Sequence, residues 1–299
     1  QRQMCIRDSI EIAKAAGLTL LSEEERNPLY TTTYGVGEVI KDAVRNGCRK
    51  FIVGIGGSAT NDGGAGMLQA LGFGLLKENG EQIPIGARGL EELAEITDDN
   101  VIPELAECKF KIACDVTNVL CGETGASAVY GPQKGADEEM TERLDRLLFS
   151  YASLVKKKIP KADSMYPGTG AAGGLGFAFL TFMDAQLESG IQIVIKETGL
   201  EQEIAKADLV ITGEGRMDGQ TAMGKAPIGI AKIAKKYGKP VIAFAGAAAR
   251  DAGACNEQGI DAFFPILREA VSLEAAMKRE NAEANMEAAV EQAYRLWRL

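Results

Sequence analysis

The chain predicts an α/β fold in two parts, and three observations carry that reading. Short apolar runs alternate with helix-period stretches from about residue 30 onward, the pattern of parallel strands joined by helices. Glycine is the compositional outlier, at 35 of 299 residues against a typical ~7%, and it clusters beside the apolar runs as tight turns. The length and an apolar share of 46% supply a sizeable core, with two medium domains favoured over one.

In chain order, Thr33 is placed to cap a helix through "YGVGEVIKDAVRN", which Gly47 closes. The run "KFIVGI" predicts a buried strand, followed by the glycine loop "GIGGSATNDGG" (54–64) and a helix over "GAGMLQALG". "FGLLKENGEQIPI" predicts two short strands around the turn signal Asn79-Gly80. A strand "FKIACD" ends at Asp115, and a long helix over about 137–157 carries apolar positions 140, 144, 147, 148, 151 and 154 on one face. "YPGTGAAGGLGFAFLTFM" reads as a second glycine loop entering an apolar helix.

Beyond residue 196 the βα alternation is cleaner. "LEQEIAKA" predicts helix, "DLVIT" strand, "GEGRMDGQTAMGKA" loop, "PIGIAKIAKKYG" helix, "PVIAFAG" and "AFFPIL" strands, and about 272–298 a terminal helix. The expected organisation is therefore a glycine-rich mixed α/β domain over 10–195 and a Rossmann-like half-domain over 196–299. Residues 1–9, "QRQMCIRDS", read as a non-native leader. Three strands are few for a doubly wound sheet, which points to a missing N-terminal βαβ segment.

Composition excludes several classes of function. A formal charge of −9 without a basic tract argues against nucleic acid and an anionic membrane face. No run approaches the ~20 apolar residues of a membrane span. The six cysteines form no Cys-x-x-Cys pair, so reduced thiols and a cytoplasmic protein are expected. There is no histidine, which removes Ser-His-Asp, Cys-His and His-ligated metal mechanisms together. Acid–base work falls to Asp, Glu, Lys, Tyr or Cys, and a metal must be a hard, oxygen-bound ion such as Mg²⁺.

Four segments carry candidate chemistry. In "GIGGSATNDGGAG", Gly56 and Gly57 let backbone amides converge on an anion, Ser58, Thr60 and Asn61 offer hydrogen bonds to a polyol or phosphate, and Asp62 can take a proton or hold Mg²⁺. The bland alternative is a helix entry capped by Asn61 or Asp62. In "TGEGRMDGQTAMGKAP", Gly219 to Lys225 spells G-x-x-x-x-G-K, but Ala226 replaces the Ser/Thr of a P-loop, which is rejected. What remains is Glu214, Arg216, Asp218 and Lys225 beyond a parallel strand, paired acids and cations suited to phosphoryl transfer. "PGTGAAGGLG" loosely resembles a nucleotide loop or serves close helix packing. Asp115 sits at a strand end, with Lys134 and Gln133 in the loop "YGPQKGAD".

Together these stretches resemble the type-1 glycerate kinases. The match lies in "NPLYTTTYGVGEVI", "GIGGSATNDGGAGMLQALG", "CDVTNVLCGETGASAVYGPQKGA", "PGTGAAGGLGFA" and "ITGEGRMDGQTAMGKAPIGIA", in that order, over about residue 10 to 299. The resemblance implies ATP- and Mg²⁺-dependent phosphorylation of D-glycerate, and two α/β domains, one Rossmann- or flavodoxin-like. Family members begin with Asp-Ser-Phe-Lys and Ala-Asp-Gly-Gly-Glu-Gly motifs that this chain lacks, so an N-terminally truncated member is expected.

On this reading Asp218 or Asp62 orients the attacking hydroxyl, and Lys225 and Arg216 neutralise phosphate charge. Glycerate docks near Gly56, Gly57, Ser58, Thr60 and Asn61. ATP lies against amides of Gly168, Gly170, Gly173, Gly174 and Gly215 and against Lys134, while Asp115 and Glu214 hold Mg²⁺. The product, 2- or 3-phosphoglycerate, and the oligomeric state, a homodimer included, stay open. Two rivals remain: a non-catalytic phosphometabolite-binding module, and a nucleotide-dependent oxidoreductase built on residues 168–173 with Glu188 as its ribose acid.

Overall fold

The computed structural model describes residues 7–299. Its chain forms two compact units, one ending at Gly190 and the other spanning Ile191–Leu299. The leader expected over 1–9 falls outside the described residues as far as residue 6, as does Cys5. Residues 7–9 instead open a strand.

The first unit is organised by a four-stranded parallel sheet in the order β1-β2-β5-β6. Its strands are β1 (Arg7–Glu11), β2 (Lys50–Gly54), β5 (Lys109–Ala113) and β6 (Ala185–Glu188). Buried Ile10 pairs with buried Val53, and Phe51 pairs with Phe110, so the inward faces stay in register. The Phe51 and Phe110 rings stack with centroids 4.8 Å apart. Neither β1 nor β6 is expected from sequence, because both are short and only half apolar. A separate antiparallel pair joins β3 (Gly74–Leu76) to β4 (Glu95–Thr97).

That pair replaces the expected hairpin. The Asn79-Gly80 turn does form, with Gly80 N–H donating to the Lys77 carbonyl at 3.0 Å. The returning chain makes a single bridge, Leu76 to Gln82. Pro84 then denies the ladder a donor, and the Gln82 side-chain amide satisfies Leu75 N–H and the Phe73 carbonyl instead.

Besides a single helical turn at Ala13–Ala16, the described residues of this unit form five helices: α1 (Tyr34–Arg45), α2 (Ala65–Ala70), α3 (Ala126–Tyr130), α4 (Glu138–Lys158) and α5 (Ala171–Phe182). Helix α4 buries Leu144, Leu147, Leu148 and Tyr151 on the stripe its periodicity predicts, with Val155 buried in place of the expected Leu154, and Asp137 caps it by accepting the Met140 N–H. Helix α5 starts abnormally. Ala172, Gly173 and Gly174 are all left-handed, and Ala172 (φ 52°, ψ 40°) is the one non-glycine residue with positive φ among those described. The reason is close backbone contact: a Cβ on Gly173 would lie 2.0 Å from the Thr60 carbonyl, and Gly63 N–H donates to the Gly173 carbonyl at 2.9 Å. The two glycine loops pack directly against each other.

The second unit holds a three-stranded parallel sheet in the order β7 (Val210–Met217), β8 (Val241–Ala248), β9 (Ala262–Pro265). Helix α6 (Gly190–Thr198) enters it, so the boundary expected after 195 falls inside a helix. Helices α7 (Leu200–Lys206), α8 (Gly219–Ala222) and α9 (Ala226–Lys236) follow. Ile204, Ile228, Ala231, Val241 and Ala243 form the core. Strand β7 runs five residues beyond "DLVIT", since small residues of β8 accept it in register as far as Met217 opposite Ala248. The terminal helix is broken into Leu273–Ala276 and α10 (Arg279–Trp297).

Gly173→Ala tests the loop contact. Both a left-handed φ of 67° and the 2.0 Å approach oppose the new methyl group. The substitution is expected to destabilise the first unit by about 3 kcal/mol, read as a lower urea midpoint at unchanged slope.

Candidate active site

The loop between β2 and α2 is built around Asp62, whose carboxylate is fully buried. Thr33 N–H donates to its Oδ2 at 2.8 Å and the Thr33 hydroxyl at 2.9 Å, while Gly64 N–H donates to Oδ1 at 3.1 Å and Gly66 N–H to Oδ2 at 3.3 Å. The Thr33 hydroxyl itself accepts from Met67 N–H at 2.9 Å, so its proton points at Asp62. Thr32 adds a further hydroxyl at 3.3 Å. Burial is the larger influence and raises the Asp62 carboxyl above the usual carboxylate range, opposed by the hydrogen bonds from Thr33, Gly64 and Gly66. Since every partner donates, the group is held as an acceptor. Thr33, expected to cap α1 through its side chain, makes no such bond and serves Asp62 instead.

Asp62 is thus placed as the anchor of the loop, not facing a cavity. Thr60 and Asn61 are likewise buried behind the loop surface. Asn61 Nδ2 donates to the Ser127 hydroxyl at 2.9 Å, and Thr60 offers its carbonyl rather than its side chain. The surface of the loop is left to Gly56, Gly57 and Ser58.

Those three residues line a cavity of about 240 Å³ at the carboxyl ends of β2 and β5. Ala113, Cys114, Asp115, Val116, Tyr130, Gln133 and Lys134 form the opposite walls, with Ala171 and strained Ala172 closing one side. Among the described residues, the backbone N–H groups of Gly56, Gly57 and Ser58 donate to nothing in the protein. Lys134 is the buried cation of the cavity, only 2% exposed. Its Nζ donates to the Thr60 carbonyl at 2.7 Å and the Ser58 hydroxyl at 3.2 Å, leaving one N–H uncommitted. Burial lowers its pKa to about 8, opposed by the charge of Asp62. Asp115 is exposed at the mouth, with Oδ1 accepting the Gly190 N–H at 3.0 Å.

The second glycine loop is placed differently from its expected role. Gly168, Gly170, Gly173 and Gly174 are all buried, and Cβ atoms on them would strike Leu187, Val119, Thr60 and Gly63. They serve backbone packing and present no face to a nucleotide. Tyr130, Cys114 and Ala172 are among the cavity residues the sequence does not single out for ligand contact. A left-handed alanine has no sequence signature, and Tyr130 takes its place only once α3 is folded.

In the second unit, Glu214, Gly215 and Arg216 lie on the last turns of β7, with no atom within 4 Å of where a Gly215 Cβ would sit. Asp218 caps α8 in a reciprocal box with Thr221, and Lys225 Nζ stands 3.9 Å from its Oδ1. The Thr221 N–H bond, then the Lys225 charge, hold the Asp218 carboxyl below its usual range despite some desolvation. The Thr221 hydroxyl also donates to Glu214 Oε1. Among the described residues no three His, Cys, Asp or Glu side chains cluster to cage a metal.

A model of the glycerate kinase family matches residues 4–298. The chain belongs to the glycerate kinase family. It is 50% identical over 270 residues to a glycerate kinase of Halalkalibacterium halodurans, covering 90% of this chain and 71% of that protein. It is 49% identical to the glycerate 2-kinase of Escherichia coli, again over 90% of this chain and 71% of the relative. A crystal structure assigned as glycerate kinase 2 from Salmonella typhimurium LT2 superposes with a TM-score of 0.85 at 47% identity, over 96% of this chain and 75% of that one. Membership makes the protein a kinase with the α/β architecture of its family. The expectation of a truncated member is not borne out by the family match. No helix among the described residues is long and apolar enough to cross a membrane.

Removing the loop anchor separates structure from chemistry. Asp62→Asn turns an amide NH₂ toward a set of donors and is expected to cost about 3 kcal/mol or more in urea unfolding. A variant of native stability with a thousandfold lower turnover would instead make Asp62 a reacting group.

Proposed function

We propose that this protein transfers the γ-phosphoryl group of ATP to D-glycerate, with 2-phosphoglycerate as product. The observation that carries the reading is the small cavity of the first unit, lined by a buried cation and by three loop residues whose amides have no protein partner among the described residues. A volume of about 240 Å³ is below the usual range for drug-sized ligands and suits a three-carbon acid. The choice of the 2-hydroxyl rests on the relative printed as a glycerate 2-kinase.

ATP falls to the second unit on chemical grounds. Arg216 and Lys225 supply cations for phosphate oxygens, and the open backbone at Gly215 lets a phosphate approach. Mg²⁺ requires only one or two carboxylates when phosphates complete its octahedron, so the lack of a protein cage is compatible with it. Glu214 and Asp218 are the carboxylates that would hold it beside the triphosphate. Bound there, it would neutralise charge on the transferring group. Asp218 is kept ionised, and a loose transition state asks little of a base. The free cysteines of the described chain fit a cytoplasmic location.

The test is glycerate-dependent ADP release, with the product assigned by ³¹P NMR. Turnover is expected with D-glycerate and Mg²⁺-ATP, and none with nicotinamide cofactors. Binding of both substrates without ADP release would leave a non-catalytic module. Asp218→Asn keeps a good N-cap, so folding is expected to hold while turnover falls a hundredfold or more. Near-normal turnover would remove Asp218 from the mechanism.

A further inference from the structure

The cavity of the first unit contains one cation and one anion at different depths. Lys134 is buried among Ser58, Thr60 and Gly131–Gly135, whereas Asp115 is exposed at the mouth. The uncommitted Lys134 N–H, the Ser58 hydroxyl proton and the free amides of Gly56 and Gly57 are all donors. Lys134 and Ser58 are buried and mark the inner end, which takes a carboxylate, while Gly56 and Gly57 are exposed on the loop beside it. Near the mouth the available groups include the Asp115 carboxylate, the Gln133 amide and the Tyr130 phenol, whose proton already goes to Asn118 at 2.6 Å. That end accepts hydroxyl protons and repels a second acid group.

We propose that Lys134 and Asp115 act as a charge filter, selecting hydroxy acids with a single carboxylate and rejecting dicarboxylates of the same size. The inference rests on the glycerate reading and names the residues that set its substrate class. A carboxylate entering the inner end meets an ammonium already stripped of water, so the pairing is formed in a low-dielectric site. A dicarboxylate brings a second charge to Asp115 with no cation to match it, since Lys134 is the one lysine or arginine lining the cavity.

Titration offers an independent check. The groups facing Lys134 are Asp62 behind it, Asp115 and Cys114 after β5, and Tyr130 on α3. Burial raises both the Cys114 thiol and the Tyr130 phenol above their ordinary values. Lys134, with its pKa lowered to about 8, is therefore the group that changes charge between pH 7 and 9. It is protonated below about 8 and neutral above, so carboxylate affinity is lost as pH rises.

Isothermal titration calorimetry, with ADP present, separates this proposal from the kinase reading because it needs no turnover. The probes are D-glycerate, tartronate (the same frame with a second carboxylate) and glycerol (with none). The wild type is expected to bind glycerate at least tenfold more tightly than tartronate, to ignore glycerol, and to lose about tenfold in glycerate affinity from pH 7 to 9. Lys134→Met should weaken glycerate at least tenfold and flatten the pH dependence. Asp115→Asn, at an exposed site where folding is not at stake, should improve tartronate at least tenfold relative to glycerate. Equal binding of tartronate and glycerate by the wild type, or an unchanged ratio in Asp115→Asn, overturns the filter even if Lys134→Met fails to fold. Glycerate binding with these ratios but no ADP release would sustain the filter and overturn the kinase reading.

Discussion

A carboxylate removed from water holds the first unit's functional loop in place. Asp62 collects donors from two segments about thirty residues apart, the Thr32–Thr33 entry to α1 and the Gly64–Gly66 entry to α2. An isolated buried carboxylate is costly, and the cost is offset only when all its acceptor capacity is used. Those hydrogen bonds tie the loop to the Thr32–Thr33 segment and to the start of α2. With the rear of the loop pinned, its front at Gly56–Ser58 is left with amides that need a partner from outside.

The opposing glycine loop explains why both loops are so rich in glycine. Backbone lies on backbone there, from Gly63 against Gly174 to Thr60 against Gly173. Side chains at these places would push the loops apart and open the cavity wall. Ala172 bears the remaining strain, an alanine in a conformation that costs roughly 1–2 kcal/mol. It is tolerated because the contacts around it over-determine its position. Lys134 spans from this packed region to the cavity, tying the Thr60 carbonyl to the Ser58 hydroxyl. Its ammonium is thus a fixed part of the wall, ready for an anion without further ordering.

The second unit follows a different logic. Its charges are half-buried or exposed and paired at short range: Asp218 with the α8 backbone and Lys225, Glu214 with Thr221. Such pairs are worth little in stability, since solvent screens them. They keep acids and cations interleaved on one strand end. A buried cation and an exposed charge cluster suit ligands of different size and charge.

The sequence by itself determined the fold class, most elements, and which loops carry chemistry. Strands β2, β5, β7, β8 and β9 and helices α1, α4 and α9 are legible because apolar period and caps are local properties. Gly56, Gly57, Ser58 and Asp115 were legible as polar or glycine residues at strand ends, and they line the cavity. Only tertiary structure decided which residues of "GSATND" face outward. Adjacent residues there look chemically alike, and the donors that draw Asp62 inward come from a distant segment. It also decided that Gly168–Gly174 pack against a second loop, because close approach and phosphate binding ask for the same residue. Lys134 gains its meaning the same way: a lysine in a loop is ordinarily solvated, and burial beside Ser58 exists only once the chain has folded.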